Sequence, residues 1–180
     1  MSKSISKTVL AFLLTAAIFM FTFSVFRGLF PLKHFDIIKE NCNRYNVPPH
    51  LVLALIKAES NFSPDAVSHA NAKGLMQLTD DTFEFCKKSL RDTSAKDIFD
   101  IETNIRAGIW YLSYLIKMYD GNIKNAVAAY NAGAANVNKW LRDPSLSSDA
   151  KTLDVIPFGE TQRHVEKITR YNTVYKLLYP

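Results

Sequence analysis

The chain divides into two kinds of hydrophobic pattern. From Thr8 to Phe26 it carries no charge, and Val9, Leu10, Phe12, Leu13, Leu14, Ile18, Phe19, Met20, Phe21, Phe23, Val25 and Phe26 dominate. A run of about 19 such residues is long enough to cross a bilayer as a helix. Signal-peptide apolar cores are shorter and end in small residues at a cleavage site. Here the run exits through Ser24-Val25-Phe26-Arg27, with Thr22-Phe23-Ser24 the one passable cleavage triplet. The pattern therefore predicts an uncleaved anchor over residues 1–30, with a cleaved signal as the alternative. Lys3 and Lys7 precede the run, but Arg27 and Lys33 follow it, so charge asymmetry does not set its orientation.

From Leu32 onward apolar positions recur at helical spacing. Phe35, Ile38 and Cys42 share a face, and Asn46-Val47-Pro48-Pro49 ends that segment. A second helix starts near Pro49, where proline suits a first turn, and carries His50 to Ser60. Thr79 or Asp80 caps the next, through about Leu90. Asp100 precedes a long helix, Glu102 to Tyr119, stopped by Asp120-Gly121. Ile123 to Asn131 breaks at Gly133, and a short helix carries Val137 to Leu141. Residues 143–157 are polar and turn-rich, and a last helix runs from Gly159 to Leu178. No alternating strand pattern persists. The fold class expected for residues 31–180 is all-α.

Composition refines this picture only slightly. Hydrophobic residues are 48% of the 180, enough for a packed core, and there are just 6 Gly and 7 Pro. The formal charge is +5, which favours anionic partners such as a wall polymer or lipid. Lys87-Lys88 is the sole adjacent basic pair, so no nucleic-acid arm is marked and no nucleic-acid partner is expected. Cys42 and Cys86 are too few for a disulfide scaffold and are read as core residues. No zinc-type spacing of Cys and His occurs, so no metal or cofactor is expected. A monomer is the default expectation.

One carboxylate is out of place. In Pro49–Ser60, at about 100° per residue, Leu51, Leu55 and Glu59 form one stripe, bordered by Val52 and Ile56, with Lys57 pointing away. Glu59 thus lies on an apolar face near the helix's negative end. Both surroundings favour the protonated acid that a general acid requires. A helix-end glutamate that reaches water would look the same. Two further stretches are weak alone: Gly74-Leu75-Met76-Gln77-Leu78 after a loop, and Ala129-Tyr130-Asn131-Ala132-Gly133 at a helix end.

In this order, Glu59-Ser60, GLMQL at 74–78, AYNAG at 129–133 and Ile156-Pro157-Phe158-Gly159-Glu160-Thr161 resemble the catalytic domain of the soluble lytic transglycosylase family. The resemblance covers roughly residues 33–178. It implies a lysozyme-like, goose-type helical domain following one transmembrane helix. By position, Glu59 matches the catalytic glutamate and Ser60 its usual neighbour. Gly74, Met76 and Gln77 match the motif lining the sugar cleft, and Tyr130 and Asn131 the motif closing the site. The family's last helix usually continues ETRxYV, whereas here Gln162 replaces the arginine and His164 the tyrosine. His164 is kept as a substrate-side residue because imidazole retains a ring and a hydrogen-bonding edge. Asn71-Ala72 replaces a common Gly-Ala, and asparagine tolerates positive φ.

The resemblance implies cleavage of the β-1,4 bond between N-acetylmuramic acid and N-acetylglucosamine in peptidoglycan, with closure of a 1,6-anhydromuramic ring. Glu59 would act as the lone acid and base, without cofactor. It also implies a single-pass cell-membrane protein with the catalytic domain on the wall side. Two alternatives remain open from the residues: a water-using muramidase of the same fold, and a non-catalytic, membrane-anchored glycan-binding protein.

Overall fold

A computed structural model of the chain describes residues 2–91, 95 and 97–180, with side chains from residue 7 onward; the Lys3 side chain lies outside that range. Among the described residues the structure is helical, with two isolated backbone bridges and no strand. Helix α1 spans Ser2–Leu29, α2 Phe35–Tyr45, α3 Pro49–Glu59, α4 Asp80–Leu90, α5 Ile101–Met118, α6 Ile123–Ala132, α7 Ala134–Leu141 and α8 Gly159–Leu178. The all-α expectation holds. Within α1, Lys7–Leu29 is long and apolar enough to cross a membrane, and none of it is buried against the rest of the chain.

Local chemistry sets the helix ends. Asn46 stops α2 in the left-handed region at φ 56°. Pro49 opens α3. Thr79 caps α4 by accepting from Thr82 N, and Asp100 and Asn122 cap α5 and α6 likewise. Each satisfies an otherwise orphaned N–H of a first turn. Helix α7 begins at Ala134, three residues ahead of the expected start. The reason is Gly133, whose φ of 84° lets one residue close α6 and open α7.

A second difference concerns α3. The spacing suggested one apolar stripe, yet Leu51, Val52, Leu53, Ala54, Leu55 and Ile56 are all buried. The helix is enclosed because α2 and α8 both pack on it. Helix α5 is the other centre, touching α2, α4 and α6. The core is one large cluster around α3 and α5 and a smaller one holding Leu78, Phe83, Cys86, Ile98 and Ala107. Cys42 and Cys86 are free thiols in different clusters. Burial pushes each up to about 12, so both stay protonated and unreactive near neutral pH.

Candidate active site

Glu59 is the last residue of α3. The chain then turns sharply: Asn61 and Phe62 take left-handed φ of 52° and 62°. Left-handed backbone is costly for a bulky residue such as Phe62, so surrounding packing must hold it, and Phe62 is buried. Ser60 Oγ reaches across to donate to Leu75 O at 2.8 Å. That bond ties the end of α3 to the glycine-containing loop.

The loop itself is clamped from below by Asn104 of α5. Its Oδ1 accepts from Met76 N at 2.8 Å, and its Nδ2 donates to Lys73 O at 3.1 Å and Ile98 O at 2.8 Å. Gly74 lies at φ 76° directly against this amide, and a Cβ there would overlap the Asn104 side chain. Glycine is required on both counts. Met76 is fully buried and presses on Gly108, where a Cβ would also overlap it. The Met76 side chain therefore shapes the loop from beneath. Gln77 takes φ 47°, and its Nε2 donates to Ala66 O at 3.0 Å and Gly74 O at 2.9 Å. Asn71 adopts φ 58°, the left-handed conformation that asparagine in this place permits.

The other side of the site comes from α6 and α8. Tyr130 Oη donates to Met76 O at 2.8 Å, joining the AYNAG segment to the loop. Asn131 Oδ1 accepts from Thr161 Oγ1 at 2.7 Å, joining it to α8. One turn further along α8, His164 Nε2 lies 3.0 Å from Glu59 Oε1. Both side chains are largely enclosed, at 11% and 15% exposure. His164 Nδ1 is buried without a hydrogen-bond partner among the described residues. With Glu59 ionised, the imidazole donates from Nε2; with Glu59 protonated, it accepts. Burial foremost, then the Glu59 charge, raises the Tyr130 hydroxyl well above the usual phenol range, so it stays a donor.

The eight residues singled out in the sequence are thus brought together by contact, but in different roles. Glu59 and His164 form an enclosed carboxyl–imidazole pair. Ser60, Gly74, Met76, Gln77 and Tyr130 hold the loop, and Asn131 couples α6 to α8. Asp80, the carboxylate opening α4, is held by Lys73 at 2.7 Å. The pair offers one carboxyl group that can give and retake a proton beside a ring able to follow either state. A separate cavity of about 770 Å³ lies on the opposite face of α8, lined in part by Lys124, Val155, Val165 and Glu166, and does not include Glu59. Residues missed from the sequence are Asn104 and Gly108. Nothing in their spacing sets them apart from ordinary positions of a helix.

The family model for the transglycosylase SLT domain matches residues 36–152. The chain belongs to that family. It is 32% identical over 151 residues to the soluble lytic murein transglycosylase of Escherichia coli strain K12, covering 82% of this chain and 23% of that one. It is 32% identical over 168 residues to the membrane-bound lytic murein transglycosylase C of Yersinia pestis, covering 80% and 47%. The chain thus spans between about a quarter and a half of these relatives. Among solved structures, the 70 kDa soluble lytic transglycosylase of E. coli superposes with a TM-score of 0.77 at 29% identity, over 84% of this chain and 25% of that one. An inactive glutamate-to-glutamine mutant of lytic transglycosylase Slt from Pseudomonas aeruginosa gives 0.74 at 31%, over 84% and 25%. The lysozyme-like expectation agrees with these neighbours. The family match stops before α8, the helix that supplies His164.

Proposed function

We propose that the chain is a membrane-anchored peptidoglycan lytic transglycosylase, with residues 1–30 as anchor and 31–180 as catalytic domain on the wall side of the membrane. The observation that carries the reading is the enclosed Glu59–His164 pair, held at the meeting of all four family motifs. Protonated Glu59 donates to the oxygen of the β-1,4 bond between N-acetylmuramic acid and N-acetylglucosamine. The substrate's acetamido group stabilises the anomeric cation. Glu59, now a carboxylate, takes the proton of the muramyl 6-hydroxyl as that oxygen closes the 1,6-anhydro ring. The proton balance is zero, and water is not consumed. A single acid suffices, in contrast to the paired carboxylates of most glycosidases.

His164 supports Glu59 in both halves, steadying the carboxylate after the first transfer and leaving its second oxygen toward the sugar. That a glutamate-to-glutamine mutant of the Pseudomonas relative is inactive favours a single essential glutamate. The test uses the full chain in detergent micelles on purified peptidoglycan. Glu59→Gln should lower release of soluble fragments about a hundredfold or more while leaving the helical melting curve in place. Full activity in that variant would remove Glu59 from its role.

A further inference from the structure

Helix α8 carries one continuous stripe from the catalytic pair to the anchor. His164 faces Glu59, and Lys167 Nζ donates to Ala58 O at 2.9 Å. Four and eight residues beyond Lys167, the stripe becomes aromatic. Tyr171 and Tyr175 meet the Phe30 ring edge-on at 5.2 and 5.5 Å. Tyr175 Oη donates to Pro31 O at 3.2 Å, and Tyr179 Oη donates to Phe30 O at 2.8 Å. Arg27 stacks over both Phe23 of α1 and Tyr179, 5.5 and 4.8 Å from the ring centroids. His50 Nε2, at 2.7 Å from Tyr179 O, ties the same end to the start of α3. Leu178 completes a small apolar hollow with Phe19, Thr22, Phe23 and Phe26. The end of α8 therefore lies beside the last turns of α1, below the level at which α1 leaves its apolar span.

We infer that the last turn of α8, through Leu177, Leu178 and Tyr179, inserts into the lipid interface beside α1 and seats the catalytic domain directly on the bilayer. Five observations meet here. Leu177 is 75% exposed, an unfavourable state for leucine in water and a favourable one in lipid. Phe19 to Phe26 lies within about 15 Å of the Leu29 end at 1.5 Å per residue, which places Leu178 in the upper hydrocarbon. Tyr171 and Tyr179, both partly exposed, lie where amphipathic rings collect at a membrane surface, with Tyr175 buried behind them. Lys176, on the same turn, has a stem long enough to reach the headgroups. Lys57 stands 5.7 Å over the Phe30 ring, and burial, then Lys167 and Lys33, pushes its pKa down; anionic headgroups relieve that crowding.

The consequence for function is reach. His164 is 14 residues from Leu178 along α8, so Glu59 stands no more than about 25 Å from the seated end. The enzyme is confined to glycan strands running close to the membrane.

The inference rests on α1 being retained as an anchor, and the test separates the two. Full chain is reconstituted in vesicles of phosphatidylcholine and phosphatidylglycerol whose acyl chains are brominated either near the headgroup or near the chain end. A polarity-sensitive fluorophore is attached at Leu177→Cys, Phe19→Cys or Val67→Cys, each exposed; the buried native thiols resist labelling. The label at 177 should be quenched roughly twofold or more, chiefly by the shallow bromines. The label at 19 should be quenched as well, and the label at 67 should not. Quenching at 19 with none at 177 overturns the seating and leaves the anchor intact. No quenching at either position overturns both.

Discussion

Two irregular segments of similar length hold the domain together by different means. Residues 61–79 carry the glycine motif, and residues 143–157 close the domain before α8. Each is fixed by a fully buried asparagine from a neighbouring helix. Asn104 serves the first segment. Asn125 serves the second, donating to Lys151 O at 2.7 Å and accepting from Leu153 N at 3.2 Å. Beyond that they diverge. The second segment is laced by its own exposed aspartates: Asp143 accepts from Ser145 N, Asp149 from Lys151 N and Thr152 N, and Asp154 from Ser148 N. Much of its backbone is thus met within the segment, with Lys124 of α6 donating to Leu153 O and Asp154 O. The first segment has left-handed residues at 61, 62, 71, 74 and 77 and is held by neutral groups from afar, Ser60, Asn104 and Tyr130. The strain lies beside Glu59, and Ser60, Asn104 and Tyr130 hold it without adding a charge.

The largest expected effect separates the two asparagines. Asn104→Leu leaves Met76 N and Ile98 O without their partner and removes one of two bonds to Lys73 O; it should cost on the order of 3–5 kcal/mol, with loss of activity beyond the loss of folded protein. Asn125→Leu should also destabilise, but the surviving folded fraction should keep its kcat. Equal specific activity in both variants, measured per folded molecule, would erase the distinction between a site loop and a closing loop.

Next in size is a glycine pair. Gly74 and Gly121 have similar positive φ, 76° and 86°, but a Cβ at Gly121 meets nothing within 4 Å. Gly121→Ala should therefore cost about 1 kcal/mol for the left-handed backbone alone, and Gly74→Ala clearly more because Asn104 is in the way. Denaturant midpoints compared at equal slope measure the difference. Equal shifts would mean that the amide gives way without cost.

His164 comes third. A hydrogen bond to a charged group contributes about 1.5–3 kcal/mol, so His164→Phe should lower kcat roughly ten- to a hundredfold with KM little changed. His164→Gln and His164→Tyr, which keep a polar edge toward Glu59, should restore most of it. A variant that changes KM alone would place His164 on the sugar and not behind the carboxylate.

The smallest effect belongs to the closing segment. Hydrogen bonds from Lys151 N and Thr152 N hold the Asp149 carboxyl below the usual aspartate range. A depressed folded pKa stabilises above the unfolded value, about 3.9, and that contribution is lost as pH falls through the folded value. Asp149→Asn should lower the melting temperature slightly near neutral pH, converge on the parent in acid, and so flatten the decline below about pH 4. An unchanged acid decline would show that the segment does not depend on this carboxylate.

Most helices were legible because their ends carry local signals. Asn46, Pro49, Thr79, Asp100 and Gly133 act within a turn of themselves, so order and number followed from the chain. The α7 start was displaced because one glycine served two helices. Burial of α3 on all sides was not legible, since enclosure depends on α2 and α8 arriving from elsewhere. The site divides in the same way. Glu59 and its motif partners were recognisable as a series. The clamp by Asn104 joins residues 28 or more apart through a side chain, and nothing in the spacing distinguishes it from an ordinary helix asparagine. The His164 substitution was visible, but its 3.0 Å contact with Glu59 was not.

The central claim is that Glu59 works alone and that the muramyl 6-hydroxyl, not water, closes the reaction. Mass spectrometry of fragments released from peptidoglycan by the full chain tests it most directly. Ring closure by the 6-hydroxyl predicts 1,6-anhydromuramic ends, lighter than hydrolytic products by one water. Reducing muramic ends in the same digest, absent with Glu59→Gln, would instead show a water-using muramidase and contradict it.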